Sequence, residues 1–245
     1  MTSPAKNLAG DVLRKEGKMF IEIIENIFVK ILPKYWHLFV FEGLGYTLLL
    51  SLITVLCGTI LGSLLALLKM SKIPPFRWLV TAFVEVIRGT PLLLQLYIGY
   101  FLVPQLIPAL SSNKFVSVSI ALVLNSAAYV TEIIRSGIQA VDKGQTEAAR
   151  SLGLSQAQTM TKVVLPQAVK NILPALGNEF VAVIKETSLA STFYVGDLMT
   201  QYLVVKGNTF LAMECLLVVG VIYFVVTFVL SRAVSAFEKR LKRGE

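Results

Sequence analysis

The chain has 245 residues, of which 55% are hydrophobic, and its mean hydropathy is +0.71. Charged residues make up only 16%, against about 25% in a typical soluble domain, which argues against an ordinary cytoplasmic globular enzyme. The net charge of +8 belongs to an apolar chain. It therefore indicates basic residues that flank membrane segments, and we expect no nucleic-acid partner.

Residues 1–40 form an amphipathic N-terminal arm. Apolar residues recur at helical spacing between Met19 and Ile31, with charged residues among them. The pattern predicts a helix that lies against membrane lipid at the interface or packs on the helix bundle or a partner subunit. The only histidine, His37, stands beside two aromatic residues as in an interfacial aromatic belt, so one chain offers no histidine metal site.

Five segments after the arm are candidates for membrane spans, since a spanning helix needs about 20 mostly apolar residues. They are 44–68, 89–113, 115–131, 171–190 and 215–231. In the second, Pro91 suits the start of a helix, and Pro104 and Pro108 suit its end. Residues 41–240 are therefore predicted to form an all-α, polytopic membrane helix bundle of about five transmembrane helices.

Gly58 and Gly62 give the first span a Gly-x-x-x-Gly spacing. Small residues at this spacing let two helices approach closely. The pair is a weak candidate for a seam between two copies of the chain.

Basic residues in the connecting segments predict the orientation, because Lys and Arg accumulate on the cytoplasmic side. They follow the first and third spans and fill the C-terminal tail, whereas Lys114 and Lys206 alone lie on the opposite side. This places the C terminus in the cytoplasm and, with an odd number of spans, the N terminus outside. The basic residues before residue 35 oppose that placement.

A long polar segment, residues 142–170, separates the third span from the fourth. Helix-forming residues at 147–152 are followed by Gly153, helical character resumes from Leu154 to Val164, and a proline follows. The sequence predicts a helix, a glycine turn and a second short helix that ends at Leu165-Pro166. The second helix is amphipathic, so it needs a partner or a lipid surface to bury its apolar face.

The stretch EAARSLGLSQAQTMTKVVLP in this segment resembles the signature cytoplasmic loop of bacterial ABC-type import permeases. That pattern is Glu-Ala-Ala, three residues, Gly, nine residues, Ile, one residue, Leu-Pro, and Val163 here replaces the Ile. The candidate coupling residues are Glu147, Ala148, Ala149, Gly153, Leu154, Val163, Leu165 and Pro166.

Three further stretches, EVIRGTPLLLQLY (85–97), AYVTEIIRSGIQAVDKGQTEAA (128–149) and KETSLAST (185–192), resemble the branch of this family that takes up polar amino acids. The resemblance covers roughly residues 40–240. It implies a multi-pass protein of the bacterial plasma (inner) membrane that pairs with a second permease subunit, identical or homologous. It also implies an ATPase subunit that receives the loop, and an extracytoplasmic binding protein that delivers the amino acid.

The sequence contains no Gly-x-x-x-x-Gly-Lys-Ser/Thr motif, which would cradle a nucleotide phosphate. We therefore expect no enzymatic activity and no cofactor in this chain, with ATP bound by the partner subunit.

Polar residues within spans are candidates for the transport pathway, because they are costly in a membrane. Glu85 and Arg88, like Glu132 and Arg135, are spaced to neutralise each other on one helix face. A zwitterion needs an acceptor for its ammonium group and a donor for its carboxylate. The predicted pathway comprises Arg88, Gln95, Asn125, Ser126, Tyr129, Glu132, Glu179, Lys185, Glu186, Ser188 and Asp197. The alternative role for each is interhelical hydrogen bonding.

These features predict a permease subunit of an ATP-driven importer that moves a polar amino acid by alternating access. One alternative is an ion-coupled secondary transporter that uses Glu132, Glu179 or Asp197 for coupling. Another is a membrane scaffold whose loop recruits a soluble enzyme.

Overall fold

The computed structural model describes residues 4–110 and 113–242, with side chains described at 15–109 and 113–241. Over these residues the chain is helical and has no strand. The helices are α1 (Pro4–Asn26), α2 (Leu32–His37), α3 (Leu44–Lys69), α4 (Pro74–Gly89), α5 (Leu92–Leu106), α6 (Lys114–Gln139), α7 (Lys143–Ser151), α8 (Gln156–Thr159), α9 (Leu165–Glu186), α10 (Leu198–Thr209) and α11 (Ala212–Lys242).

The first three helices form one continuous path, joined by π-helical turns at Ile27–Ile31 and Leu38–Gly43. Buried residues recur along this path every four positions, as at Phe39, Gly43 and Thr47. Four residues of α-helix turn about 40° beyond a full circle, so such a stripe would drift around the helix. The wider π turns, which hydrogen-bond from i to i+5, rotate the stripe back and keep it against the bundle.

The arm packs on the bundle through this stripe. Ile31 and Phe39 are fully buried and belong to a core cluster with residues of α10 and α11, among them Leu198 and Val205. Nearer the N terminus, Nδ2 of the buried Asn26 donates to Oε1 of the buried Glu214 at 3.0 Å. The boundary expected at residue 40 therefore falls inside an unbroken helical turn, and the outer face of the arm exposes apolar side chains.

Three stretches of the described chain have the length and composition of a membrane span: Lys15–Lys69, Lys114–Gln139 and Ala212–Leu241. They contain the predicted spans at 44–68, 115–131 and 215–231. The more polar α9, which contains most of the predicted span 171–190, is not among them. It nevertheless packs against α3, α6 and α11 in the bundle.

The second predicted span contains the second of two helices that are joined at a sharp bend. Helices α4 and α5 together have the composition of a span but are bent by 112° where they meet. Pro91 caps the start of α5 as expected, whereas Pro104 lies inside the helix, which ends at Leu106. The predicted span at 89–113 contains α5 but not α4, because α4 is amphipathic and carries charged residues that interrupt its apolar run. Helix α10, which pairs with α11, was not predicted either.

Gly58 and Gly62 form a seam within the chain. A Cβ atom added to Gly58 would lie 2.9 Å from Ser126 Oγ, and one on Gly62 would lie 2.7 Å from the Ala127 carbonyl oxygen. Both contacts are with α6, so the expected seam between two copies is corrected to a seam between α3 and α6. Its closeness lets Thr131 Oγ1 donate to the Gly62 carbonyl oxygen at 3.2 Å.

Gly62→Ala should lower the free energy of unfolding by about 1–3 kcal/mol, because the added methyl group forces α3 and α6 apart. The matched control is Gly45→Ala in the same helix, where nothing lies within 4 Å of the added atom. That variant should be neutral or stabilising, since Ala exceeds Gly in helix propensity by about 1 kcal/mol. Thermal unfolding of both proteins in detergent checks the prediction, and equal midpoints would contradict it.

Candidate functional site

The polar segment at 142–170 folds as a helix, a turn and a second helix. Asp142 caps α7 by accepting from the Gly144 N–H at 2.7 Å. The helix ends where Gly153 takes a φ of +86°, a left-handed conformation that glycine adopts without a Cβ penalty. The N–H of Leu154 then donates to the Ala149 carbonyl oxygen at 3.2 Å. The predicted glycine turn is therefore confirmed.

The second half of the segment is continuous with α9. Ser155 and Gln158 form a reciprocal capping box at the start of α8, which fixes where the helix begins. A π turn at Met160–Val164 then joins α8 directly to α9. The expected helix end at Leu165-Pro166 is wrong, because Pro166 lies in the first turn of α9, where a missing N–H is tolerated.

The segment offers an exposed surface around its glycine turn. Leu152, the last residue before Gly153, is 85% exposed, whereas Ala149 one turn earlier is buried. Glu147 and Ala148 are exposed beside it, and Val163 is half-buried on the second helix. An apolar side chain so exposed next to a rigid turn favours a protein contact at this point.

Glu179 and Ser126 meet where α9 crosses α6. Ser126 Oγ donates to Glu179 Oε1 at 3.0 Å. Glu179 is half-buried, and no cation of the described residues forms an ion pair with it. The carboxylate therefore stands partly exposed with one hydroxyl partner, which leaves it able to receive an ammonium group.

Gln95 and Asn125 hold the bend between α4 and α5. Gln95 Nε2 donates to the carbonyl oxygens of Ile87 at 2.6 Å and Thr90 at 3.1 Å, which the end of α4 leaves unpaired. Its Oε1 accepts from Asn125 Nδ2 at 2.8 Å. Both amides are buried and already paired, so their geometry favours a structural role over contact with a substrate.

Three cations, one each on α3, α4 and α6, lie around the carboxylate of Glu132. Its carboxylate lies 2.5 Å from Lys69 Nζ, 2.7 Å from Arg135 Nη2 and 3.8 Å from Arg88 Nη1. The ion pair with Arg135 was predicted, whereas the expected pair of Arg88 with Glu85 does not form among the described residues. Arg88 instead approaches Glu132 and the ring of Tyr129, whose centroid is 5.4 Å away.

Of the remaining pathway candidates, Glu186 lies close enough to Glu179 for the two carboxylates to repel each other. Asp197 is completely buried and caps α10, accepting from the Met199 N–H at 3.0 Å and from Thr200 Oγ1. Lys185 is exposed at the end of α9 and Glu186 is half-buried beside it. Ser188 lies in the 3₁₀ turn Thr187–Phe193 and accepts through its carbonyl oxygen from Ser191 at 2.7 Å.

Lys69 belongs to the polar contacts although it is not among the predicted pathway residues. Lys69 was assigned only as a flanking cation, yet it forms the shortest ion pair with Glu132. The available signal was that a charge-free span ends at Lys69. Pairing it with Glu132 requires knowing that α3 packs beside α6.

The chain is similar to known membrane transport components along most of its length. Residues 58–243 match the family model described as a binding-protein-dependent transport system inner membrane component. The arginine transport system permease protein ArtQ of Bacillus subtilis (strain 168) is 42% identical over 207 residues, which cover 84% of this chain and 94% of that protein. The putative glutamine transport system permease protein GlnP of Rickettsia bellii is 40% identical and covers 87% and 96%.

Solved structures agree with these relatives. One described as an amino acid ABC transporter with histidines matches with a TM-score of 0.80 and 46% identity, covering 85% of this chain and 96% of that chain. The MetNI methionine ABC transporter in an inward-facing conformation matches with a TM-score of 0.66 and 19% identity, covering 83% and 97%. The second likeness shows the shared fold alone.

Glu132→Gln should lower the free energy of unfolding by about 1–3 kcal/mol, because it leaves three convergent cations without their counter-charge. Glu85→Gln is the matched control, since Glu85 is exposed and has no ion pair within the described residues. Thermal unfolding in detergent at low salt gives the comparison. A midpoint for Glu132→Gln equal to that of Glu85→Gln would show that the cluster does not stabilise the bundle.

Proposed function

Because the chain belongs to the family of binding-protein-dependent transport system inner membrane components, we propose that it is the permease subunit of an ATP-driven importer for a polar amino acid. The relatives named for arginine and glutamine transport support this substrate class. The observation that carries the proposal is their near full-length similarity together with the exposed loop at 142–170. The subunit makes no covalent change to its substrate, holds no cofactor, and leaves ATP to a partner.

The family implies an ATPase and a partner permease subunit beside this chain. We assign the exposed loop surface at Glu147, Ala148 and Leu152 to the ATPase contact. An extracytoplasmic binding protein delivers the amino acid to the opposite side, and membrane lipid covers the outer faces of the spans. The second permease copy, identical or homologous, completes the pathway.

The loop is built to pass a displacement into the membrane. The Gly153 turn and the capping box of α8 fix the angle between the two short helices. Helix α8 then runs through the π turn into α9 without a break. Since α9 carries Glu179, closure of the ATPase subunits would move a pathway residue through one connected element, as alternating access requires.

Glu179 is the residue that we assign to the ammonium group of the substrate. Its carboxylate is held at one oxygen by Ser126 and has no cationic partner among the described residues. The substrate's carboxylate is assigned to donors from the remaining polar set, Arg88, Tyr129 and Lys185. Glu186 ends α9 and Ser188 lies in the 3₁₀ turn that follows, and we include both in the proposed pathway.

Two other classes of function fit these observations less well. An ion-coupled secondary transporter would need no ATPase loop. The family is described as binding-protein-dependent, and the solved structure at 46% identity is described as an amino acid ABC transporter. A scaffold without transport would not need Glu179 to stand half-buried without a counter-ion. Both alternatives are therefore less well supported than the importer subunit.

Glu179→Gln should weaken uptake of cationic and zwitterionic amino acids by about 10–100-fold, because a charged hydrogen bond of about 1.5–3 kcal/mol is lost. The measurement is uptake into vesicles that contain the ATPase and enclose ATP, with binding protein outside and a panel of amino acids in competition. Glu85→Gln serves as the control and should transport normally. Wild-type uptake and preference in Glu179→Gln would eliminate Glu179 as a substrate ligand.

Leu152→Ala should weaken assembly with the ATPase by about tenfold or more, because burying a leucine contributes about 1.5–3 kcal/mol to a contact. Leu106→Ala is the matched control, since Leu106 is 70% exposed at the other end of the bundle. The readout is the amount of ATPase that copurifies and its stimulation by binding protein. Equal assembly of the two variants would remove Leu152 from the proposed contact.

A further inference from the structure

A cavity of about 540 Å³ opens beside the loop at 142–170. It lies between the end of α6, helix α7 and the path from α8 through the π turn Met160–Val164. Its volume falls in the range of about 300–1,000 Å³ that small-molecule sites occupy. Neither Glu179 nor a side chain of the Glu132 cluster lines the cavity, and the lining residue Gln139 accepts from Arg135 Nη1 at 2.5 Å.

The polar lining of this cavity is cationic. Lys143 and Arg150 both line it, and among its described lining residues there is no carboxylate. Thr146 adds a hydroxyl group, and Gln139 and Gln156 add amides. Arg150 uses Nη1 to donate to the Leu154 carbonyl oxygen at 2.8 Å, which holds the guanidinium in place while leaving its other N–H groups available.

One buried hydroxyl group in the wall has no partner. Thr159 lines the cavity, is only 2% exposed, and its Oγ1 makes no hydrogen bond among the described residues. A buried hydroxyl group without a partner is costly, and native proteins pair nearly all such groups. A ligand oxygen that reaches this hydroxyl group from the cavity would supply the missing partner.

We propose that this cavity binds a small, multiply charged oxyanion, either a phosphate compound or a polycarboxylate. Lys143 and Arg150 would provide charge-assisted hydrogen bonds, and the Thr159 hydroxyl group would donate a further one. Because the walls come from α6, α7 and the path from α8 through the π turn that continues into α9, the bound anion ties the loop to the bundle. On the proposed function, that tie would regulate how the ATPase drives the pathway.

The test measures binding to the full-length chain in detergent, without the ATPase and without transport. Its thermal midpoint is followed against inorganic phosphate or citrate, with sodium chloride holding the ionic strength constant. Wild type should show a saturable rise. Lys143→Gln and Thr159→Val should each raise the Kd at least tenfold, whereas Lys162→Gln, an exposed cation of the same loop that does not line the cavity, should not change it.

Thr159 provides a second signature that a general charge effect would not give. Without the anion, Thr159→Val should unfold at the wild-type midpoint or above it, because the unpaired hydroxyl group is gone. Thr159→Ser keeps the hydroxyl group and should retain binding. Destabilisation of Thr159→Val together with unchanged anion binding would overturn the assignment.

A final measurement separates a free anion from an acidic side chain of the ATPase. The difference in citrate binding between wild type and Thr159→Val should persist after the ATPase is added. Its disappearance would mean that the ATPase fills the cavity, and the absence of saturable binding to the chain alone would also overturn the proposal. Neither result would bear on uptake, so the importer function stands or falls separately.

Discussion

The close contact between α3 and α6 is the constraint on which the rest of the bundle depends. Only hydrogen atoms at Gly58 and Gly62 leave room for α6 to lie against α3. Helix α6 in turn packs against α4, α5 and α9, so its position fixes theirs. Ser126 links this contact to α9, because it fills the space beside Gly58 and donates to Glu179. The distance between two helices thus sets the position of the carboxylate assigned to the substrate.

Unpaired backbone groups determine the contacts of several buried polar side chains. Within a membrane, backbone groups that a broken helix leaves unpaired must find partners in the protein. Gln95 supplies them at the bend after α4, Asp197 supplies them at the start of α10, and Thr47 Oγ1 accepts from the Leu198 N–H at 3.0 Å. Gln95 and Asp197 belong to the predicted pathway residues, yet in the structure they hydrogen-bond to backbone groups. Glu179 is different because its carboxylate accepts from the Ser126 hydroxyl group and, among the described residues, from no backbone group.

The sequence predicts what depends on composition and misses what depends on neighbours. Hydropathy located α3, α6 and α11, and the spacing of Gly153 located the turn in the loop, because each signal is local. Helices α4 and α10 were not predicted, since short or amphipathic helices have no uncharged run as long as a membrane span. Pro166 was misread because a proline marks a helix start as well as an end. The partners of Lys69 and Asn125 depended on helix packing, which no local pattern contains.

The family match begins at residue 58, so the arm with its two π turns lies outside it. A π turn holds one residue more than the α turn it replaces, and each helical residue turns the chain by about 100°. Loss of a single residue between Asn26 and Gly43 would therefore swing Asn26 away from Glu214 while leaving every side chain chemically unchanged. The number of residues in this stretch determines which side of the arm faces the bundle. The attachment of the arm therefore depends on the length of the stretch as well as on its composition.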